Sequence, residues 1–371
     1  MSQFTTFKTV ALNFFGAKIP HKTIVFESDD WGMIRTSSLD AFQTLDERFP
    51  LSQCVYSSND ALERDSDVNG LIEVLDSNRS QASENSSPKF TLNYVMFNPD
   101  FGRIEKFGFQ KYYRESCLTT YANYGASDNV LDLVKHGATN GFFMPQFHAT
   151  EHININNWML SLQQGDESTL NAFQHSMANL HRESQSNCPK EHLDAFGYRD
   201  NESTEALEET VLIGLNAFKE VFGFTSKTMI APCYLWDSRL EKAAMHDGIK
   251  AFQGGTVQKI PTANGFEKRR HYMGQRGKQG QRYFIRNCQF ERVDNPLKDW
   301  VNSCLRDIEM AFRFKKPAII STHRVNYMGR LNENNRSEGL KQLDLLLKEI
   351  NKKWPDVEYL STPELLEKYY S

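Results

Sequence analysis

Residues 23–32 read Thr23-Ile24-Val25-Phe26-Glu27-Ser28-Asp29-Asp30-Trp31-Gly32, an apolar run that ends in a paired carboxylate and a turn. The pattern recurs twice: Phe142-Phe143-Met144 leads to His148-Ala149-Thr150-Glu151-His152, and Ala318-Ile319-Ile320 leads to Ser321-Thr322-His323-Arg324. Each reads as a strand ending in a polar cluster. Strand-like runs alternate with helical ones along the chain, which predicts an α/β organisation. Parallel α/β folds place their chemistry on the rim where strands end, so the three clusters are expected to meet there.

Each cluster has an ordinary reading by itself: Asp-Asp-Trp-Gly is commonly a turn, and a late His is commonly structural. Their joint occurrence in this order is what points to chemistry. A paired Asp-Asp can divide labour between a carboxylate that binds a divalent cation and one that stays free as a general base. Two His four residues apart can meet one cation if the segment turns helically. Asp plus two His is an open three-ligand set that leaves a position for water, as a hydrolytic zinc site requires.

In this order the residues resemble the polysaccharide deacetylase family, the NodB-homology carbohydrate esterases of the family 4 type. Its pattern is Asp-Asp, His-(Ser/Thr)-x-x-His, Arg-x-Pro-Tyr and a late Leu-x-His. The resemblance is at motif level and spans roughly residues 20 to 330. It implies Asp29 as the base, Asp30, His148 and His152 as ligands of one divalent metal, and His323 as the general acid. Zinc is the default ion for this donor set, which also accepts cobalt, manganese, nickel or iron. Ile230-Ala231-Pro232-Cys233-Tyr234 stands where the third motif belongs, after the strand-like Lys227-Thr228-Met229. A backbone N–H near Cys233 or Tyr234 is expected to stabilise the oxyanion, and Trp31 is a further candidate substrate contact.

The chain departs from the pattern in several places. Ile230 replaces the Arg that orients the catalytic Asp, and Arg35, Arg199 and Arg324 are the nominated substitutes. Ala149 stands where Ser or Thr is usual, and the acid supporting His323 is one of Asp294, Glu291 and Asp299. The long gap from Asp30 to His148 implies insertions within residues 40–140. The fold so implied is a distorted (β/α) barrel in one catalytic domain over residues 1–371. The implied activity is metal-dependent removal of acetyl groups from an acetylated amino sugar, polysaccharide precursor or oligosaccharide.

Two rival readings use the same residues. His148-x-x-Glu151-His152 matches the inverted zinc-peptidase pattern, in which Glu151 is the base and Glu205, Glu208 or Glu209 a third ligand. Pro145, the strand-like entry to His148 and the unexplained Asp29-Asp30 and His323 weigh against it. A catalytically inactive sugar-binding relative is the other, because of Ile230.

Composition narrows the class. A net charge of −4 argues against a general nucleic-acid binder, while 26 Phe, 14 Tyr and 5 Trp supply side chains for a core or for sugar-stacking walls. Cys54, Cys117, Cys188, Cys233, Cys288 and Cys304 form no CxxC pair and read as reduced thiols of a cytosolic protein. Met1–Pro20 lacks a convincing cleavage site, and no segment approaches the roughly 18 apolar residues of a membrane span. A cytoplasmic location and a precursor substrate are therefore expected. Lys268-Arg269-Arg270-His271, followed by Gly274, Arg276, Gly277, Lys278, Gly280 and Arg282, is either a solvated loop or a basic element able to hold phosphate. Residues 72–89 are expected to be an exposed loop, Phe90–Phe97 a strand, 158–186 helical, Leu340–Ile350 a helix packed on the sheet, Val357–Leu360 a last strand and Thr362-Pro363-Glu364 a helix start.

Overall fold

In the computed structural model, which describes residues 12–80, 86–124, 129–180, 192–197, 204–262 and 265–371, the strands in chain order are β1 (Thr23–Trp31), β2 (Phe90–Val95), β3 (Phe97–Pro99), β4 (Arg114–Ser116), β5 (Phe143–Ala149), β6 (Thr228–Ile230), β7 (Ala251–Gly254), β8 (Val257–Thr262), β9 (Gly265–Arg270), β10 (Gln275–Arg276), β11 (Arg282–Ile285), β12 (Cys288–Gln289), β13 (Ala318–His323) and β14 (Glu358–Tyr359). Strands β7, β6, β5, β2, β1 and β13 lie side by side in that order, all parallel. One stretch of backbone joins the two edges. β11 pairs with β7 and β12 with β13, and the change of partner falls between Arg286, whose N–H donates to Gly254 O, and Asn287, whose N–H donates to Ile319 O. Arg282–Gln289 is thus one closing strand, and the expected distorted barrel is what the chain forms. β14 adds to the start of β1, while β3–β4 and β8–β9 are separate antiparallel ribbons.

Alternation along β1 sorts the barrel into layers, because successive side chains leave a strand on opposite faces. Ile24 and Phe26 face outward into the core shared with Phe90, Leu343 and Leu346. Val25 faces inward and joins Ile319, Phe284, Leu360 and Leu365 as an apolar floor. Glu27 is the next inward residue and lies in a hydrogen-bonded polar layer. There it accepts from Arg286 Nε at 2.7 Å and from the Thr362 hydroxyl at 2.8 Å. Asn93, Gln253 and Thr228 complete the layer through mutual hydrogen bonds of 2.9–3.1 Å. Asp29 is the last inward residue, and the cleft opens above it.

The helix Glu333–Lys353 buries Leu343, Leu346, Leu347 and Ile350, the face its spacing predicts. It approaches so closely that a Cβ at Gly339 would sit 1.7 Å from Asn326 O, in the turn that follows His323. Gly339→Ala is therefore expected to destabilise the protein by about 1–3 kcal/mol through overpacking, read as a lower urea midpoint. Ser361 caps the last helix, Thr362–Tyr369, in a reciprocal capping box with Glu364.

Three local expectations are corrected. Residues 72–77 are not loop but the end of the helix Asp65–Ser77, whose Val68, Leu71 and Leu75 face the core at helical spacing. Residues 81–85 of that stretch lie outside the described part. The run from 158 is two helices, Ile155–Gln163 and Glu167–Gln174, broken at Gly165 with φ 74°; residues 181–186 are not described. Phe90–Phe97 divides between β2 and β3. Of Met1–Pro20, residues 1–11 fall outside the described part, and among the described residues no helix is long and apolar enough to cross a membrane.

Candidate active site

A regular strand would send Asp29 and Asp30 to opposite faces. The register of β1 against β2 slips between Ser28 and Trp31, and Asp30 adopts φ 73°, so this bulge turns both carboxylates toward one cleft. Gly32 follows at φ 80°, where a Cβ would meet Val95 O at 2.6 Å. A second bulge does the same for His148: Tyr94 pairs with Phe147 but Val95 with Ala149. The segment from His148 to His152 does not turn helically as expected. The rings nevertheless meet, their centroids 5.0 Å apart.

Asp30, His148 and His152 are buried, and their ligand atoms lie within 4.8 Å of one another. Asp30 Oδ1 is 3.3 Å from His148 Nε2 and 3.6 Å from His152 Nε2. His148 Nδ1 is 2.9 Å from the carbonyl of Ile230; donating there leaves the Nε2 lone pair facing Asp30, the arrangement that orients a ligating imidazole. Burial pushes His152 down to about 3, which keeps its ring neutral. Burial would lower the His148 pKa too, but its hydrogen bond to Asp30 and the charges of Asp29 and Asp30 raise it, so a cation would bind there by displacing the Nε2 proton. Two imidazoles and a carboxylate converging in a buried pocket fit a divalent cation of the zinc type. His148→Ala or His152→Ala is expected to abolish stoichiometric metal, measured by elemental analysis of the purified protein, with the fold largely kept; wild-type metal content in the double variant would place the ion elsewhere.

Asp29 is held by a residue the sequence reading did not nominate. Arg286 grips it as a fork, Nη1 to Oδ2 at 2.6 Å and Nη2 to Oδ1 at 2.7 Å, while Asn93 Nδ2 donates to Oδ1 at 2.8 Å. Burial alone would raise this carboxyl; the charge and hydrogen bonds of Arg286 outweigh it and hold Asp29 below the usual range. The nominated substitutes do other work. Arg35 bridges Asp30 Oδ2 at 3.1 Å and Asp60 Oδ2 at 2.9 Å. Arg324, fully buried, bridges Asp60, Glu63 and the carbonyl of Met33, and Glu63 in turn accepts from the N–H of Gly32. Both thus brace Asp30 and the turn after it, using acids from the long segment between the first two motifs. Arg199 lies outside the described residues.

His323 is the register partner of Asp29 on the neighbouring strand, with Nε2 3.8 Å from Asp29 Oδ2. Of its three nominated supports, Glu291 makes the contact, Oε2 to Nδ1 at 2.7 Å; Asp299 caps the helix Trp300–Arg313 instead. Burial would lower the His323 pKa, but Glu291, Asp30 and Asp29 overcome it and push it up to about 10. The cleft of about 210 Å³ is walled by Asp29, Asp30, His148, His152 and His323 together with Tyr56, Cys233 and Tyr234. Tyr56 stands edge-on to His323, ring centroids 5.7 Å apart.

One substrate-contact expectation is corrected and another narrowed. Trp31 is buried in the outer core and donates its indole N–H to Ser28 Oγ at 3.0 Å, away from the cleft. Cys233 and Tyr234 do line the cleft, in consecutive left-handed conformations at φ 56°, but the N–H of Tyr234 is committed to Ala231 O at 3.0 Å. Glu151 also points elsewhere: it forms an ion pair with Arg114 at 2.5 Å and borders a separate cavity of about 310 Å³. Burial pushes its carboxyl up to about 7.

The sequence matches no known family model and, at a significant level, no curated protein. Among solved structures it is similar to a protein from Mycobacterium smegmatis described as a polysaccharide deacetylase, at 10% identity over 95% of this chain and 93% of that one, with a TM-score of 0.45. It is similar to the GH57-type branching enzyme from Pyrococcus horikoshii, at 12% identity over 94% of this chain and 71% of that one, TM-score 0.47. A family 4 carbohydrate esterase from Streptomyces lividans, solved with acetate, aligns at 9% identity over 92% of this chain and 93% of that one, TM-score 0.38. Likenesses this distant, spread over different reactions, decide nothing about the activity; the arrangement of side chains has to.

Proposed function

We propose that this protein is a metal-dependent hydrolase that removes acetyl groups from an acetylated sugar, most simply the acetamido group of an amino sugar. The observation that carries the proposal is the pairing of Asp29 and His323 across one cleft, each held in the protonation state its role requires. Asp29, kept ionised by Arg286, takes a proton from the attacking water as general base. His323, kept protonated by Glu291, delivers a proton from Nε2 to the nitrogen or oxygen that leaves as the acyl bond breaks, so acetate and the free amine or alcohol are the products. Asp30, His148 and His152 would hold a divalent cation, which when bound would supply Lewis-acid activation. Tyr56 and Tyr234 offer aromatic walls of the kind sugars stack against.

The peptidase reading loses its base, because Glu151 is engaged by Arg114 and does not line the cleft. The test is release of acetate from N-acetylglucosamine oligosaccharides and sugar nucleotides. Chelation should abolish it, and His323→Ala should lower it on the order of a hundredfold or more while metal stays bound. Peptide cleavage that survives His323→Ala and is lost in Glu151→Gln would sink the proposal. A metal-loaded protein that releases acetate from nothing would support an inactive sugar-binding relative instead.

A further inference from the structure

The ribbon β8–β9 rises from the same rim as the cleft. It follows the C-terminal end of β7, and Lys259 on β8 pairs with Leu235, the neighbour of the cleft residue Tyr234. All of Gly265–Arg270 is exposed, although this strand carries Lys268, Arg269 and Arg270. The register sets Val257 against Arg270, Lys259 against Lys268 and Pro261 against Phe266. Since alternate residues share a face, Lys259, Lys268, Arg270 and the 45% exposed Phe266 stand on one side of the ribbon, Lys259 Nζ lying 5.2 Å from the Phe266 ring, while Glu267 and Arg269 stand on the other. Like charges directly opposed across two strands are destabilising, and none of these cations pairs with a carboxylate among the described residues. In a chain of net charge −4, three cations on one face with no carboxylate against them make a local positive patch that attracts anions.

We infer that the β8–β9 ribbon holds a phosphoryl group of the substrate, so that the acetylated sugar reaches the cleft as a phosphate or diphosphate ester of a nucleoside or of a lipid. This rests on the deacetylase reading. Two lysines and an arginine suit a multiply charged phosphoryl group, for which Lys acts as a point charge and Arg as a fork. Taking a strand spacing of about 4.8 Å for each of the steps Leu235 to Lys259 and Lys259 to Lys268, the Lys268 backbone is roughly 10 Å from the cleft wall. A sugar diphosphate covers such a gap and a lone monosaccharide does not. Neighbouring Arg282, by contrast, is structural, donating to the carbonyls of Tyr370 and Gly274.

Inorganic pyrophosphate titrated into the full chain in EDTA, followed by calorimetry, tests the site without any reaction. Saturable binding that weakens with added salt is expected, along with a loss of at least about tenfold in the Lys259→Gln/Lys268→Gln/Arg270→Gln variant and no change in Glu267→Gln. Lys268 and Arg270 are exposed and Lys259 half-buried, and circular dichroism checks the fold. In metal-loaded protein, kcat/KM for uridine diphosphate N-acetylglucosamine should exceed that for N-acetylglucosamine by about tenfold or more, a ratio the triple variant should collapse. Co-sedimentation with phosphatidylglycerol vesicles but not phosphatidylcholine vesicles would assign the phosphate to a lipid source, and its absence to a soluble nucleotide. No pyrophosphate binding, or binding that ignores the triple substitution, overturns the inference. If neither sugar releases acetate, the deacetylase reading falls while the titration still decides the ribbon.

Discussion

Replacing Arg286 with methionine is expected to lower stability by about 3–5 kcal/mol and to reduce acetate release to near background. Arg286 is the cation between two buried carboxylates, Glu27 and Asp29, and removing one partner of a buried ion pair leaves uncompensated charge in a medium that solvates it poorly. Urea titration measures the first effect. Turnover falls for a different reason, because Asp29 loses both the fork that aims it and the charge that keeps it ionised. Adding Glu27→Gln separates the two: it should recover a large part of the lost stability by removing one stranded charge, while leaving turnover low. A double variant with normal turnover would show that Asp29 does not need the fork. A loss in Arg286→Met of less than about 1 kcal/mol would show that the polar layer tolerates the charges unaided.

Asp29→Asn should separate the effects differently, with metal content close to wild type, stability lower by about 1–3 kcal/mol because one bond of the buried fork is lost, and turnover lower by on the order of a hundredfold or more. The amide keeps the shape, and its single oxygen can still accept from Arg286 Nη2 and Asn93, but its NH2 then faces the Arg286 Nη1 donor, and it cannot take a proton from water. Metal analysis and acetate release on the same preparation read both halves. Near-normal turnover would assign the base elsewhere, and Glu151 would be the first candidate despite its ion pair with Arg114.

The parts of the site that were legible in the sequence are those announced by a local pattern. Asp29-Asp30, His148 with His152, and His323 each follow an apolar run, and the barrel brings the ends of those runs to one rim. Bulges were not legible: nothing in Ser28-Asp29-Asp30-Trp31 states that Asp30 will take φ 73°, yet without that turn its carboxylate would leave on the other face. Arg286 was missed although it obeys the same rule, since Tyr283-Phe284-Ile285 precedes Arg286-Asn287 as Ala318-Ile319-Ile320 precedes the His323 cluster. The basic residues just before it drew the reading toward a loop. The nominated replacements, Arg35, Arg199 and Arg324, left out the closing strand: Ile230 contributes its carbonyl to His148, and the guanidinium arrives from Arg286 on that strand. The helix Asp65–Ser77 was hidden by a different effect, the polar composition of its exposed face and of the serine-rich stretch behind it.

The union of β1 with β13 has a consequence for the newborn protein. The two strands are separated by roughly 290 residues of sequence, which a ribosome working at about 5–20 residues/s takes on the order of 15–60 s to cover. For that interval β1 has β2 on one side and nothing on the other, an open apolar edge of the kind that recruits strands from other chains. The nascent polypeptide also carries Asp29 and Asp30 long before Arg286 and His323 exist, so the cleft is assembled only with the last part of the barrel. Of all the segments emerging early, β1 is the one a ribosome-associated chaperone has most reason to cover.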